Sequence, residues 1–123
     1  MAADATTVLI VDDELLNRDL LEQELLEAGY RTLCAVSGAE AIVMATQLHP
    51  DLILLDAMME GLDGFATCER LKSTDATRGI PVIFLTALTD TDVKVRAFKA
   101  GAVDYITKPF QTEELLARVG THI

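Results

Sequence analysis

The sequence predicts an α/β protein in which helices cover both faces of a five-stranded parallel sheet. Three observations carry that prediction. Continuous apolar runs recur at Val8–Val11, Leu52–Leu55 and Val82–Leu85, with a shorter one at 103–107. Runs of this kind mark parallel strands buried on both faces. Amphipathic segments with helical spacing lie between them. Five such strand–helix repeats also account for nearly all of the 123 residues, leaving the chain no room for a second fold.

Taken in order, the first strand is predicted over 7–12, followed by a helix over 14–28 in which Leu16, Leu20, Leu21 and Leu25 recur at helical spacing. Gly29 stands where a C-terminal cap belongs. A strand over 31–36 leads to a helix over 38–48 with Ala41, Ile42, Ala45 and Leu48 as its core stripe, and Pro50 blocks its continuation. After a strand at 51–56, the helix at 63–73 turns Phe65, Cys68 and Leu71 inward. The strand at 81–86 precedes a helix over 90–100 that buries Val93, Ala97 and Phe98 and stops at Gly101. The last strand, 103–107, leads past Phe110, expected to pack under the final helix. That helix starts at Thr112, carries Glu113 and Glu114 favourably in its first turn, and runs through Leu115, Leu116 and Val119. The arrangement expected is a flavodoxin-like (βα)5 three-layer sandwich with strand order 2-1-3-4-5. Residues 1–123 read as one unit without linkers, repeats or low-complexity stretches, ending at a helix from which a longer protein could continue.

Composition narrows the function. Half of the residues are hydrophobic, enough for a core without disulfide or metal staples. Twenty acidic residues against ten basic ones give a net charge of −10. That excess, with no basic cluster, argues against gripping a nucleic-acid backbone. Cys34 and Cys68 are far apart, so reduced thiols are expected, not a disulfide or a metal knuckle. The first residues lack a basic region followed by a long apolar stretch, and no run reaches membrane-spanning length. A cytoplasmic protein is expected.

The chemistry is concentrated where the strands end. The first strand runs into Asp12-Asp13, the third into Asp56, the fourth into Thr86 and the fifth into Lys108-Pro109. In open parallel sheets, ligands bind at the carboxyl ends of the strands. One of the three acids could serve as a helix cap, but three converging carboxylates would repel unless a hard cation relieved them. Magnesium prefers such oxygen ligands, together with water and phosphate. Lys108 supplies a point charge for phosphate oxygens and Thr86 a hydroxyl. An acid cluster, a cation and a hydroxyl together are the apparatus of phosphoryl transfer. No Ser, Cys or His lies at a strand end, so the nucleophile is expected to be a carboxylate that forms an aspartyl phosphate. Asp56, alone on a central strand, is the candidate.

These motifs resemble the receiver domain of bacterial two-component response regulators. The matching pieces are V-L-I-V-D-D (8–13), P-D-L-I-L-L-D (50–56), G-L-D-G (61–64), P-V-I-F-L-T-A (81–87) and K-A-G-A-V-D-Y-I-T-K-P-F (99–110), in order along essentially the whole chain. The resemblance implies that Asp56 is the phosphoacceptor. It makes Asp13 a direct magnesium ligand, Asp12 an acid holding the metal through water, and the Met58 carbonyl a further ligand. Lys108 would bind the phosphoryl group, aimed by a cis peptide at Pro109. Thr86, followed by the small Ala87, would be the switch hydroxyl, and Tyr105 the aromatic side chain that turns inward when Thr86 moves. The partners implied are a histidine kinase or phosphotransfer protein, and an output domain or second copy on the face of the fourth helix, fifth strand and fifth helix. On this reading the chain promotes only its own magnesium-dependent phosphorylation and dephosphorylation.

Some positions depart from the pattern or stand outside it. Glu60 occupies the place of the family's usual proline, which frees the loop and adds a charge near the acids. Met58 and Leu88, two residues past Asp56 and Thr86, cannot hold an attacking water, so a phosphoryl group of intermediate to long lifetime is expected. Lys94, Arg96 and Lys99 read first as a solvated helix face, with partner contacts as the sharper reading. His49 and His122 read as surface residues. A magnesium-dependent aspartyl-phosphate phosphatase would want an acid where Met58 stands, together with a cap insertion. A docking receiver that is never phosphorylated would have no need of Asp12, Asp13, Asp56, Thr86 and Lys108. A nucleotide-binding domain would need a glycine-rich loop after the first strand.

Overall fold

The computed structural model describes residues 6–59, 61, 63–87 and 91–123. Strands β1 (Thr7–Val11), β2 (Arg31–Ala35), β3 (Leu52–Asp56), β4 (Val82–Thr86) and β5 (Asp104–Thr107) alternate with helices α1 (Leu15–Glu27), α2 (Gly38–Leu48), α3 (Gly64–Ser73), α4 (Thr91–Lys99) and α5 (Thr112–His122). All neighbouring strands are parallel, in the order β2-β1-β3-β4-β5. The fold is flavodoxin-like. Glu60, Leu62 and Leu88, on which sequence expectations fell, lie outside the described residues.

The period-two alternation of strand side chains divides the core into two layers. Leu9, Val11, Ile53, Leu55, Val82 and Phe84 face Ala41 and Ala45 of α2, Phe65, Cys68 and Leu71 of α3, and Ala97 of α4. Val8, Ile10, Leu52, Leu54, Ile83, Leu85 and Ile106 face Leu21 and Leu25 of α1 and Leu115 and Val119 of α5. Because β1, β3 and β4 are covered on both sides, their sequences read as unbroken apolar runs.

Helix ends follow local chemistry. Ser37 caps α2 by accepting from the Glu40 N–H at 3.1 Å, and Glu40 reaches back to the Val36 N–H at 3.1 Å, satisfying both ends of the turn. His49, in a left-handed conformation at φ 47°, and the following Pro50 end α2. Gly29 and Gly101 take φ of 97° and 106° just past α1 and α4, where a side chain would be strained.

The helical stripes differ from the sequence expectation at four places. Leu16 is 80% exposed and Leu20 50%, so α1 turns only Leu21 and Leu25 fully inward. Leu48 is 54% exposed at the last turn of α2 and Phe98 48% exposed on α4. In each case the apolar residues at helical spacing span a wider arc than the sheet can cover. Leu21→Ala is expected to cost about 2–5 kcal/mol, and Leu16→Ala to stay within about 0.5 kcal/mol, in urea unfolding. A comparable loss from Leu16→Ala would mean that a different face of α1 packs on the sheet.

Candidate functional site

The 2-1-3-4-5 order sets the ends of β1, β3 and β4 side by side with β5 beyond, and this gathers the predicted residues. Asp56 is the last residue of β3 and Thr86 the last of β4, both buried, while Asp12, directly after β1, is fully enclosed. Asp13 points to the exposed side. One oxygen from each of Asp12, Asp13 and Asp56 lies within 4.8 Å of the others. Lys108, following β5, places Nζ 3.4 Å from Asp12 Oδ2 and 3.3 Å from Asp56 Oδ1. Its backbone N–H donates to the Thr86 carbonyl at 2.8 Å, and the Lys108–Pro109 peptide is cis.

Local hydrogen bonds hold the acids in place. The Asp12 N–H donates to the Ala35 carbonyl at 3.2 Å, and Asp12 Oδ1 accepts from the Glu14 N–H at 2.9 Å in an Asx turn that begins α1. Arg18 Nη1 donates to the Asp12 carbonyl at 2.8 Å. Sequence reasoning missed Arg18, although its place one turn into the helix behind Asp12-Asp13 was a signal. Asp56 Oδ1 accepts from the Met58 N–H at 3.2 Å. Gly64 lets α3 start hard against the end of β3. A Cβ there would collide with the Asp56 carbonyl oxygen and stand 2.8 Å from the Ala57 Cα. Asp63 caps that helix through the Ala66 N–H at 2.8 Å.

Burial raises the pKa of the Asp56 carboxyl above the ordinary carboxylate value, against the pull of Lys108 and the Met58 N–H and with a further push from Asp12. The donor set is hard oxygen, of the type that suits magnesium or calcium and repels itself without them. The cleft beside Asp56 has a volume of about 260 Å³ and is lined by Glu14, Asn17, Met58, Ala87 and Lys108. An apolar groove of about 320 Å³ adjoins it between α1 and the β5–α5 loop, lined by Leu20, Leu21, Leu85, Pro109 and Phe110.

Residues 8–120 match the family model of the response regulator receiver domain. The chain belongs to the response-regulator receiver family. It is 47% identical over 112 residues to the DNA-binding dual master transcriptional regulator RpaA of Synechocystis, covering 91% of this chain and 46% of that protein. The receiver thus spans about half the length of this relative. Among solved structures it is similar to the chemotaxis protein CheY4 of Vibrio cholerae, with a TM-score of 0.92 and 28% identity over 97% of this chain and 99% of that one. It is also similar to the receiver domain of a Pseudomonas aeruginosa sensor histidine kinase, with a TM-score of 0.89 and 29% identity over 96% and 97% of the two chains. That structure holds a magnesium ion in its active-site cleft. No helix among the described residues of this receiver is long and apolar enough to cross a membrane.

The contacts of Asp104 and of α4 refine two sequence readings. His122 is not a plain surface residue, because its Nε2 lies 3.1 Å from Asp104 Oδ2 and Arg118 Nη1 lies 2.8 Å from Asp104 Oδ1. Burial works to raise the Asp104 pKa, but hydrogen bonds from the Tyr105 N–H, Arg118 and His122 outweigh it and hold it below the usual carboxylate range. Arg96, its side chain 64% exposed, keeps the solvated character expected of it, whereas Lys94 is half-buried, and both lie over rings. Lys94 Nζ stands 4.9 Å from the Tyr105 ring centroid, and the Arg96 guanidinium 4.2 Å from that of Phe65.

The two carboxylates have opposite pH signatures. With its pKa raised on folding, Asp56 makes stability fall as pH rises from the ordinary carboxylate range to the raised value. With its pKa lowered, Asp104 contributes stability that is lost as pH drops below the ordinary range. Asp56→Asn is therefore expected to raise the thermal midpoint at neutral pH without divalent cations and to flatten the first limb. Asp104→Asn should lower the midpoint and abolish the second. An unchanged or lower midpoint for Asp56→Asn would refute the idea that ionised Asp56 is strained by its burial.

Proposed function

We propose that this receiver is a phosphorylatable signalling switch whose acceptor is Asp56. The observation that supports this most directly is a buried carboxylate at a strand end, 3.3 Å from the Lys108 ammonium and grouped with two further acids. An Asp56 oxygen attacks the phosphorus of a phosphohistidine on a histidine kinase or phosphotransfer protein. The P–N bond breaks, the imidazole leaves as the neutral donor after taking up a proton, and an acyl phosphate remains on Asp56. Lys108 meets the phosphoryl oxygens, and Thr86 donates its hydroxyl to another.

Asp12, Asp13, Asp56 and the Met58 carbonyl would hold a magnesium ion, which supplies positive charge against the transferring group. The oxygen-only chemistry of the set and the grouping of the three aspartates support that ion. The proposed approach of the donor is across α1, where exposed Leu20 borders the apolar groove at Pro109 and Phe110.

The added phosphoryl carries about −1.5 to −2 charges. Thr86 moves toward it, and Tyr105 turns into the narrow apolar void that the two share with Ala57, Phe65, Phe84 and Val93. The face of α4, β5 and α5 repacks, and the state passes to an output domain, a partner protein or a second copy of this chain. Phosphorylation biases a two-state element already built into the fold. Residues 1–123 act as one receiver unit in the cytoplasm, without binding nucleic acid directly and without turning over a separate substrate.

Incubation with a small acyl phosphate and magnesium is expected to add one phosphoryl group by intact mass. Chelation of the metal and Asp56→Asn should each abolish it. Addition that persists in Asp56→Asn would move the acceptor elsewhere. Met58 offers no side chain to position water, so Met58→Asn should shorten the lifetime of the phosphorylated state. An unchanged lifetime would remove Met58 from that role.

A further inference from the structure

Tyr105 is gripped from one side by α4. Phe98 meets its ring nearly edge-on, with centroids 6.0 Å apart at 81°, and Lys94 Nζ lies 4.9 Å from the ring centroid. Lys94 is itself half-buried, and its side chain helps line the void between Thr86 and Tyr105. The apolar anchorage of α4 on the sheet is slight: Ala97 is buried and Val93 partly so, whereas Val95 and Phe98 are exposed. On the opposite flank of the same helix, Arg96 lies over Phe65, with Nη2 4.0 Å from Asp63 Oδ2. Two cations, two residues apart, thus tie α4 to different neighbours, one to β5 and the other to α3.

We propose that Lys94 is a positioning residue that holds Tyr105 in its present place beside the void and so sets how readily the switch turns. The inference rests on the proposed switch and adds what governs its resting balance. The contact is made at the ring's present place, so on this inference it favours that place over one turned toward Thr86. A cation over an aromatic face at a partly exposed site biases such an equilibrium roughly two- to fivefold. Any ligand that selects the inward state works against that bias and binds correspondingly more weakly. Arg96 provides the internal comparison, because it makes a similar contact from the same helix without touching Tyr105.

The test uses two readouts. The chain has no tryptophan and two tyrosines, so in a Tyr30→Phe background the fluorescence reports Tyr105 alone. Acrylamide quenching of that signal in the metal-free protein reads the ring's exposure. The affinity for beryllofluoride with magnesium reads the cost of turning the switch. Lys94→Met, which keeps an unbranched apolar chain and loses the charge, should reduce quenching and tighten beryllofluoride binding roughly two- to fivefold. Lys94→Arg should restore both, and Arg96→Met should move neither. If Lys94→Met leaves quenching unmoved, or if Arg96→Met shifts it equally, the positioning role is overturned. If the unmutated protein fails to bind beryllofluoride, the reading of Asp56 falls instead. Quenching alone then decides the role of Lys94.

Discussion

The site depends on a single ammonium placed between two enclosed carboxylates. Lys108 Nζ stands within 3.4 Å of both Asp12 and Asp56, and without it two buried negative charges would face one another. A lysine serves here because its compact point charge can be shared between two acids. The fold is arranged to deliver it. The strand order brings the ends of β1, β3 and β4 together, and the Thr86 carbonyl receives the Lys108 N–H at 2.8 Å. The charge, the hydroxyl and the acids are therefore joined through backbone as well as side chains.

That arrangement holds charge in tension. Burial disfavours the ionised form of Asp56, and one lysine does not balance three acids. Such a site gains from cations and from groups that bring cations with them, and it is costly to the fold when bare. Gly64 exposes the same compromise in steric form. The start of α3 is pressed so close to Asp56 that only a hydrogen fits.

Much of this was legible in the residues. β1, β3 and β4 declared themselves as unbroken apolar runs because both faces are covered, and each run ended at the residue that matters. The glycines at 29 and 101 marked helix ends because their φ values of 97° and 106° suit no other residue well. Helix faces were less legible. Leu16 and Leu20 share the spacing of Leu21 and Leu25, and a run so rich in leucine does not reveal which arc meets the sheet. Contacts distant in sequence were not legible either. His122 meets Asp104 across 18 positions, and although Asp104 lies inside the 99–110 motif, nothing in that motif points to His122. For Arg18 the only signal was its place one turn behind Asp12-Asp13, and its bond to the Asp12 carbonyl emerges only once the turn there is seen.

The face formed by α4, β5 and α5 has a firmly attached half and a lightly attached half. At α5, Asp104 collects Arg118, His122 and the Tyr105 N–H, with heavy-atom distances from 2.8 to 3.1 Å. These charge-assisted bonds fasten the last helix to β5. At α4 the attachments among the described residues include two cations over rings, the edge-on contact of Phe98 with Tyr105, a long ion pair of 4.0 Å between Arg96 and Asp63, and little apolar burial. Contacts of that kind are individually weak. Tyr105 belongs to both halves, with its backbone N–H bound to Asp104 and its ring lying under Lys94. Its backbone is pinned while its side chain is only lightly held, so the ring can move without displacing the strand that carries it.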